Sequence, residues 1–240
     1  MERGSIDRIH QRRETLTEAV RKKDRSLRDL IYFPVVYNVV GLVSVLLLFA
    51  FSPEHSAAQD TLNAVLYSGV VAVHWSLFYV IVRRLGIEGV KKLVRPHKRI
   101  RWFPSILVFA SLNLLFIGYM VLAIAYGRIP PWGRVDALQI LFYIVLNPIT
   151  AGLVEELIWR GYFIEKQLEA GKTRWRAIIY SSVSFALIHG IILVDKLIVT
   201  FTWGIIAGAY YVKERNIPVL MATHTVIDVI AFWMSLFRPF

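Results

Sequence analysis

Apolar residues run along this chain in long blocks separated by short polar links, and each block is about as long as a bilayer is thick. The blocks lie near residues 30–52, 62–82, 103–126, 137–160, 175–194, 196–213 and 217–237. A helix of about 20 apolar residues crosses ~30 Å of hydrocarbon. The pattern therefore predicts an all-α fold, a polytopic transmembrane helical bundle of about seven spans. Pro96, Pro130-Pro131 and Pro218 mark links, and Pro148–Gly152 marks a kink. The sixth block is the weakest, because Asp195 and Lys196 leave only a short link to the fifth.

Charge orients the bundle. Residues 1–29 carry nine Lys or Arg, the link 53–61 none, 83–101 eight, 127–135 two, 164–176 four and 213–215 two. Rich and poor links alternate as the positive-inside rule requires, so the N-terminus is expected in the cytoplasm. Ahead of the first span, Ile9, Leu16, Val20 and Leu27 recur between basic residues, the spacing of an amphipathic helix on an anionic leaflet. Anionic lipids are thus expected partners of the basic segments.

Composition narrows the picture further. The chain of 240 residues is 56% hydrophobic, above the about 45–50% of soluble domains. Its net charge of +11 sits beside apolar runs, which is a membrane signature and excludes a nucleic-acid partner. With no cysteine, there is no disulfide, thiolate nucleophile or Cys-ligated metal. The chain reads as a multi-pass protein of the cell membrane.

Ionisable residues inside apolar runs carry the chemistry. A charge in hydrocarbon costs at least about 2.5 kcal/mol, so such residues default to function. Glu155, Glu156 and Arg160 fall in the fourth block, His189 in the fifth, His224 and Asp228 in the last. Helix neighbours point about 100° apart, so Glu155 and Glu156 cannot share one task. Glu156 and Arg160, four apart, share a face and suit an ion pair. Glu155 is left with no local partner and is free for chemistry. His224 and Asp228 also share a face, which serves either catalysis or half of a zinc site. His74 reads as an ordinary core histidine with no role. His-Glu-x-x-His, Gly-x-Gly-Asp and Gly-x-Ser-x-Gly are all absent.

Glu155-Glu156-x-x-x-Arg160, Phe185-x-x-x-His189 and His224-x-x-x-Asp228, in that order on successive late spans, resemble the CPBP family. These are the CAAX prenyl endopeptidases and bacteriocin-processing enzymes, also called the Abi family, and the likeness covers residues 136–237. It implies a helical intramembrane protease of the glutamate type. Glu155 and His189 would activate water, and His224 and Asp228 would form the oxyanion site. Glu156, Arg160 and Phe185 would support them. An ionised Asp228 cannot donate to an oxyanion, so it must be protonated or act by orienting His224.

On this reading residues 1–29 form a basic cytoplasmic amphipathic segment, 30–135 accessory transmembrane helices and 136–240 the catalytic core. The substrate is a membrane-associated peptide or protein, prenylated or not, cleaved in the cytoplasmic half of the bilayer from a cavity open to the cytoplasm. No cofactor is expected; zinc on His189, His224, Glu155 and Asp228 is the alternative. Two other functions compete. One is a non-proteolytic immunity or peptide-binding protein. The other is a proton-linked transporter, made less favourable by the lack of an inverted repeat.

Overall fold

The computed structural model describes residues 28–40, 42–43, 57–96, 99–127, 137–189 and 194–236, and everything described is helix or short link. The basic stretch ahead of residue 28, residues 53–56 of the 53–61 link and residues 128–135 of the 127–135 link lie outside the described residues. Helix α1 covers residues 28–40. It is followed by α2 (Ala57–Val94), α3 (Trp102–Ala125), a continuous α4 that begins at Ala137 and ends at Glu169, α5 (Arg174–Ile188), α6 (Val194–Glu214) and α7 (Ile217–Leu236).

Among the described residues, four stretches are long and apolar enough to cross a membrane: Gly69–Val94, Trp102–Ala125, Leu141–Glu169 and Ile217–Ser235. The expected bundle of apolar helices is therefore present in coarse form, as a multi-pass membrane protein. Large apolar side chains such as Phe103 and Leu114 are exposed, 78% and 71%, as lipid-facing residues are.

Helix α4 is the axis of the fold. From Val154 to Ile164 every side chain on it is buried, and Trp159, Phe163 and Phe33 of α1 pack together there. Two π-helical segments interrupt it, Leu141–Leu146 and Leu157–Ile164. The first lies just before Pro148, where a wider turn accommodates the missing amide. The second begins immediately after Glu156. Pro148 thus sits within a helix that continues through it.

Small residues let neighbouring helices approach. A Cβ on Gly204 of α6 would stand 2.8 Å from Ser182 Cβ of α5, and one on Gly152 of α4 would stand 2.8 Å from the Met221 carbonyl of α7. Helix α2 turns at Gly86, whose φ of 70° suits glycine.

Polar ties close one end of the bundle. Tyr162 donates to Asp29 at 3.1 Å, and Arg84 pairs with Asp29 and donates to Tyr162 at 3.1 Å. Tyr211 donates to Glu165 at 2.9 Å, Glu165 also pairs with Arg215, and Arg101 reaches Glu214 at 3.3 Å. These ties join α1, α2 and α4, then α4 and α6, then α3 and α6, so the Lys/Arg-rich links lie at one common end.

Candidate active site

A cavity of about 690 Å³ opens between α2, α3, α4, α5, α6 and α7, and Glu155, His189, His224 and Asp228 all line it. Side chains spread over some 75 residues of sequence are brought to one wall. Glu155 and His224 are each 5% exposed and sit at its buried end. His224 Nε2 stands 3.9 Å from Glu155 Oε2 and 3.9 Å from Asp228 Oδ2. Those separations exceed a hydrogen bond and leave room for an atom held between the groups.

Glu156 faces away from the cavity, as the helix geometry predicts, and its Oε1 receives two bonds. Arg160 donates to it at 3.2 Å, and His224 Nδ1 lies 2.8 Å from it. With Nδ1 donating to a carboxylate, His224 presents Nε2 to the cavity. Arg160, 1% exposed, is sandwiched between Phe185 and Trp203, 4.1 and 4.5 Å from their ring centres. Phe185 and Trp203 stack on one another at 5.3 Å, and Trp203 also packs on His224 at 4.8 Å. A cation between aromatic faces is stabilised without water. The chain of contacts runs from two rings through Arg160 and Glu156 to Nδ1 of His224, the ring nitrogen that faces away from the cavity.

His189 differs from its sequence expectation. Helix α5 ends at Ile188, and His189 caps it instead of lying mid-span. Its Nδ1 bonds the Phe185 carbonyl at 3.0 Å, which turns Nε2 outward toward the cavity.

Sequence reasoning missed His74. The sequence marks it as a core residue without a role, and Glu155 as lacking a local partner. In the fold His74 Nε2 lies 2.7 Å from Glu155 Oε1, and its Nδ1 lies 2.8 Å from the Val70 carbonyl. A carbonyl only accepts, so Nδ1 carries a proton. The 2.7 Å contact then requires one more proton between His74 and Glu155. Glu155 therefore commits one oxygen to α2, while its buried Oε2 has no hydrogen-bond partner. An ionisable residue in an apolar run was the available signal, since His74 met that criterion as well as His189 did. What the sequence lacked was any cue that α2 packs against α4 at that height.

Lys196, on the first turn of α6, also lines the cavity together with Asn147 of α4. Among the described residues, no three His, Cys, Asp or Glu side chains are grouped so as to hold a metal ion.

Comparison with known proteins agrees with this geometry. Residues 137–230 match the Rce1-like family model, described as type II CAAX prenyl endopeptidase Rce1-like. No curated protein and no solved structure matches the chain. The matched segment begins at the first residue of α4 and ends two residues beyond Asp228, so it contains all three motifs and leaves out His74. The three motifs and the order of their helices thus lie within the one segment, residues 137–230, that is similar to the Rce1-like CAAX protease family.

Proposed function

We propose that the chain is a glutamate-type intramembrane endopeptidase of the cell membrane, with seven crossings and a cytoplasmic N-terminus. The observation that carries this reading is the pairing of Glu155 Oε2, free of partners, with His224 Nε2 across 3.9 Å at the buried end of one cavity. Peptide hydrolysis needs a base for water, a donor for the developing oxyanion and an acid for the departing amine.

Glu155 takes a proton from water held between Oε2 and His189. The hydroxide adds to the peptide carbonyl, whose π electrons move onto oxygen. His224, held through its Nδ1–H by Glu156, donates from Nε2 to that oxyanion as the imidazolium with both ring nitrogens protonated, and Asp228 orients His224 or donates in its protonated form. When the tetrahedral intermediate collapses, the C–N bond breaks and the proton held by Glu155 passes to the amine. His74 holds the other oxygen of Glu155, so the carboxylate presents one fixed lone pair to water. The reading takes water to be activated by Glu155 without a cofactor.

The test is Glu155→Gln in the native host, with membrane peptides compared by mass spectrometry. An uncleaved species should accumulate while the variant remains inserted at wild-type level. Unchanged peptide profiles in membranes that hold the variant would refute the assignment.

A further inference from the structure

Among the described residues, three buried side-chain atoms on residues that line the cavity have no hydrogen-bond partner in the protein: Tyr37 Oη, Glu155 Oε2 and Asn147 Oδ1. The carboxylate and amide oxygens only accept, whereas the Tyr37 hydroxyl carries a proton to donate. A buried phenol ordinarily has a partner, because a hydroxyl stripped of water and left unbonded is costly. Tyr37 belongs to α1, outside the segment 137–230 that matches the family.

Packing sets the Tyr37 ring beside Glu155. Its centre lies 5.1 Å from that of the His74 ring, edge to face at 81°, and 6.0 Å from that of Trp159. His74 holds Glu155 Oε1, and Trp159 follows Glu155 by one turn of α4. The ring thus bridges the α2 and α4 neighbours of Glu155, within electrostatic reach of its carboxylate.

The attacking water needs such a donor. It sits between Glu155 Oε2 and His189, and Oε2 accepts. His189 Nδ1 bonds the Phe185 carbonyl, which only accepts, so Nδ1 carries the proton and Nε2 of the neutral ring accepts as well. A water between two acceptors gives both of its protons to them and keeps two lone pairs. One lone pair attacks the peptide carbonyl. The other is free for a donor, and His224 Nε2–H is already spent on the oxyanion.

We infer that Tyr37 is a further catalytic residue, whose hydroxyl donates to the nucleophilic water at Glu155. The water gives one proton to Oε2, directs its second at His189 Nε2, receives the bond from Tyr37 and points its remaining lone pair at the carbonyl carbon. When Oε2 takes the proton, the O–H electron pair stays on the water oxygen, which then forms the new C–O bond. Tyr37 keeps its own proton throughout and stabilises the negative charge on that oxygen before it adds. The inference rests on the protease reading for the identity of the electrophile, a peptide carbonyl.

Tyr37→Phe removes the hydroxyl and leaves the ring against His74 and Trp159. In experimental structures that show water, the wild type should hold one within about 3.2 Å of Tyr37 Oη, Glu155 Oε2 and His189 Nε2, and Tyr37→Phe should lose or shift it. A Tyr37 hydroxyl bonded only to protein, or a water unmoved in Tyr37→Phe, overturns the inference. In turnover of the peptide that accumulates with Glu155→Gln, kcat of Tyr37→Phe should fall about 10- to 100-fold while KM stays within about twofold. Thermal stability should stay at the wild-type level, since the lost hydroxyl has no protein partner. Tyr32→Phe, on the same helix and 56% exposed, is the control and should turn over as wild type. Wild-type kcat in Tyr37→Phe, a rise in KM that accounts for the whole loss, or an equal loss in Tyr32→Phe overturns the inference. The water measurement needs no turnover, so its failure is separate from unchanged peptide profiles in Glu155→Gln, which remove the protease reading.

Discussion

Gly152→Ala is the most informative single change, because one methyl group should uncouple the site without removing any of its groups. Gly152 lies on α4, three residues before Glu155, where α4 meets α7 backbone to backbone. A Cβ there would lie 2.2 Å from Thr225 Oγ1, 2.8 Å from the Met221 carbonyl and 2.9 Å from the Thr225 amide. Ordinary contact begins at 3.4 Å, so even after the Thr225 hydroxyl turns away, α7 must retreat by about 0.6 Å from the carbonyl. That rotation also forfeits the 3.3 Å bond from Thr225 to the Pro148 carbonyl. His224 is the residue next to Thr225 and moves with it. The Glu156–His224 bond, now 2.8 Å, stretches toward 3.4 Å, and the 3.9 Å gap to Glu155 widens. Overpacking costs about 1–3 kcal/mol, offset in part by the about 1 kcal/mol that alanine gains over glycine in a helix. The protein should therefore stay folded. Catalysis should suffer more, since a misplacement near 1 Å costs about 100-fold in rate. The assay is turnover of the peptide that accumulates in Glu155→Gln, with thermal unfolding of the purified protein alongside. Gly118→Ala is the control, because a Cβ there meets nothing within 4 Å. Wild-type turnover in Gly152→Ala would refute the claim that α4–α7 contact sets the reacting geometry.

Arg160→Ala should lower accumulation and thermal stability by about 3–5 kcal/mol, because it strands the buried Glu156 charge between α4 and α7; wild-type stability would remove the ion pair from the account. His74→Leu deletes a hydrogen bond to a charged group, worth about 1.5–3 kcal/mol, so kcat should fall about 10- to 100-fold with KM little changed, and a pH–rate profile that matches wild type would mark His74 as packing alone. Zinc and glutamate chemistry separate on metal content: purified active protein should keep its activity through dialysis against chelator, and chelator-sensitive activity restored by zinc would make His189, His224 and a carboxylate ligands. Asp228→Asn should retain substantial activity, since an amide can orient or donate where it is a poor zinc ligand, and complete loss accompanied by loss of bound metal would favour zinc.

Local sequence determined what local physics governs. Apolar blocks of bilayer length specify helices, because backbone groups in hydrocarbon must bond within their own segment. Spacing of four residues put Glu156 beside Arg160 and His224 near Asp228, because the helical repeat alone sets those faces. Three motifs in order were legible for the same reason, each lying within one turn or two of a single helix. Tertiary structure decided everything that crosses between helices. His74 looked like any core histidine until α2 packed on α4 and brought Nε2 to 2.7 Å from Glu155. Glu156 looked purely structural until α7 placed His224 on the same oxygen that Arg160 holds. Which part of the core is solid was hidden as well, since that depends on how Trp159, Phe163, Ile217 and Leu220 from two helices fill one space.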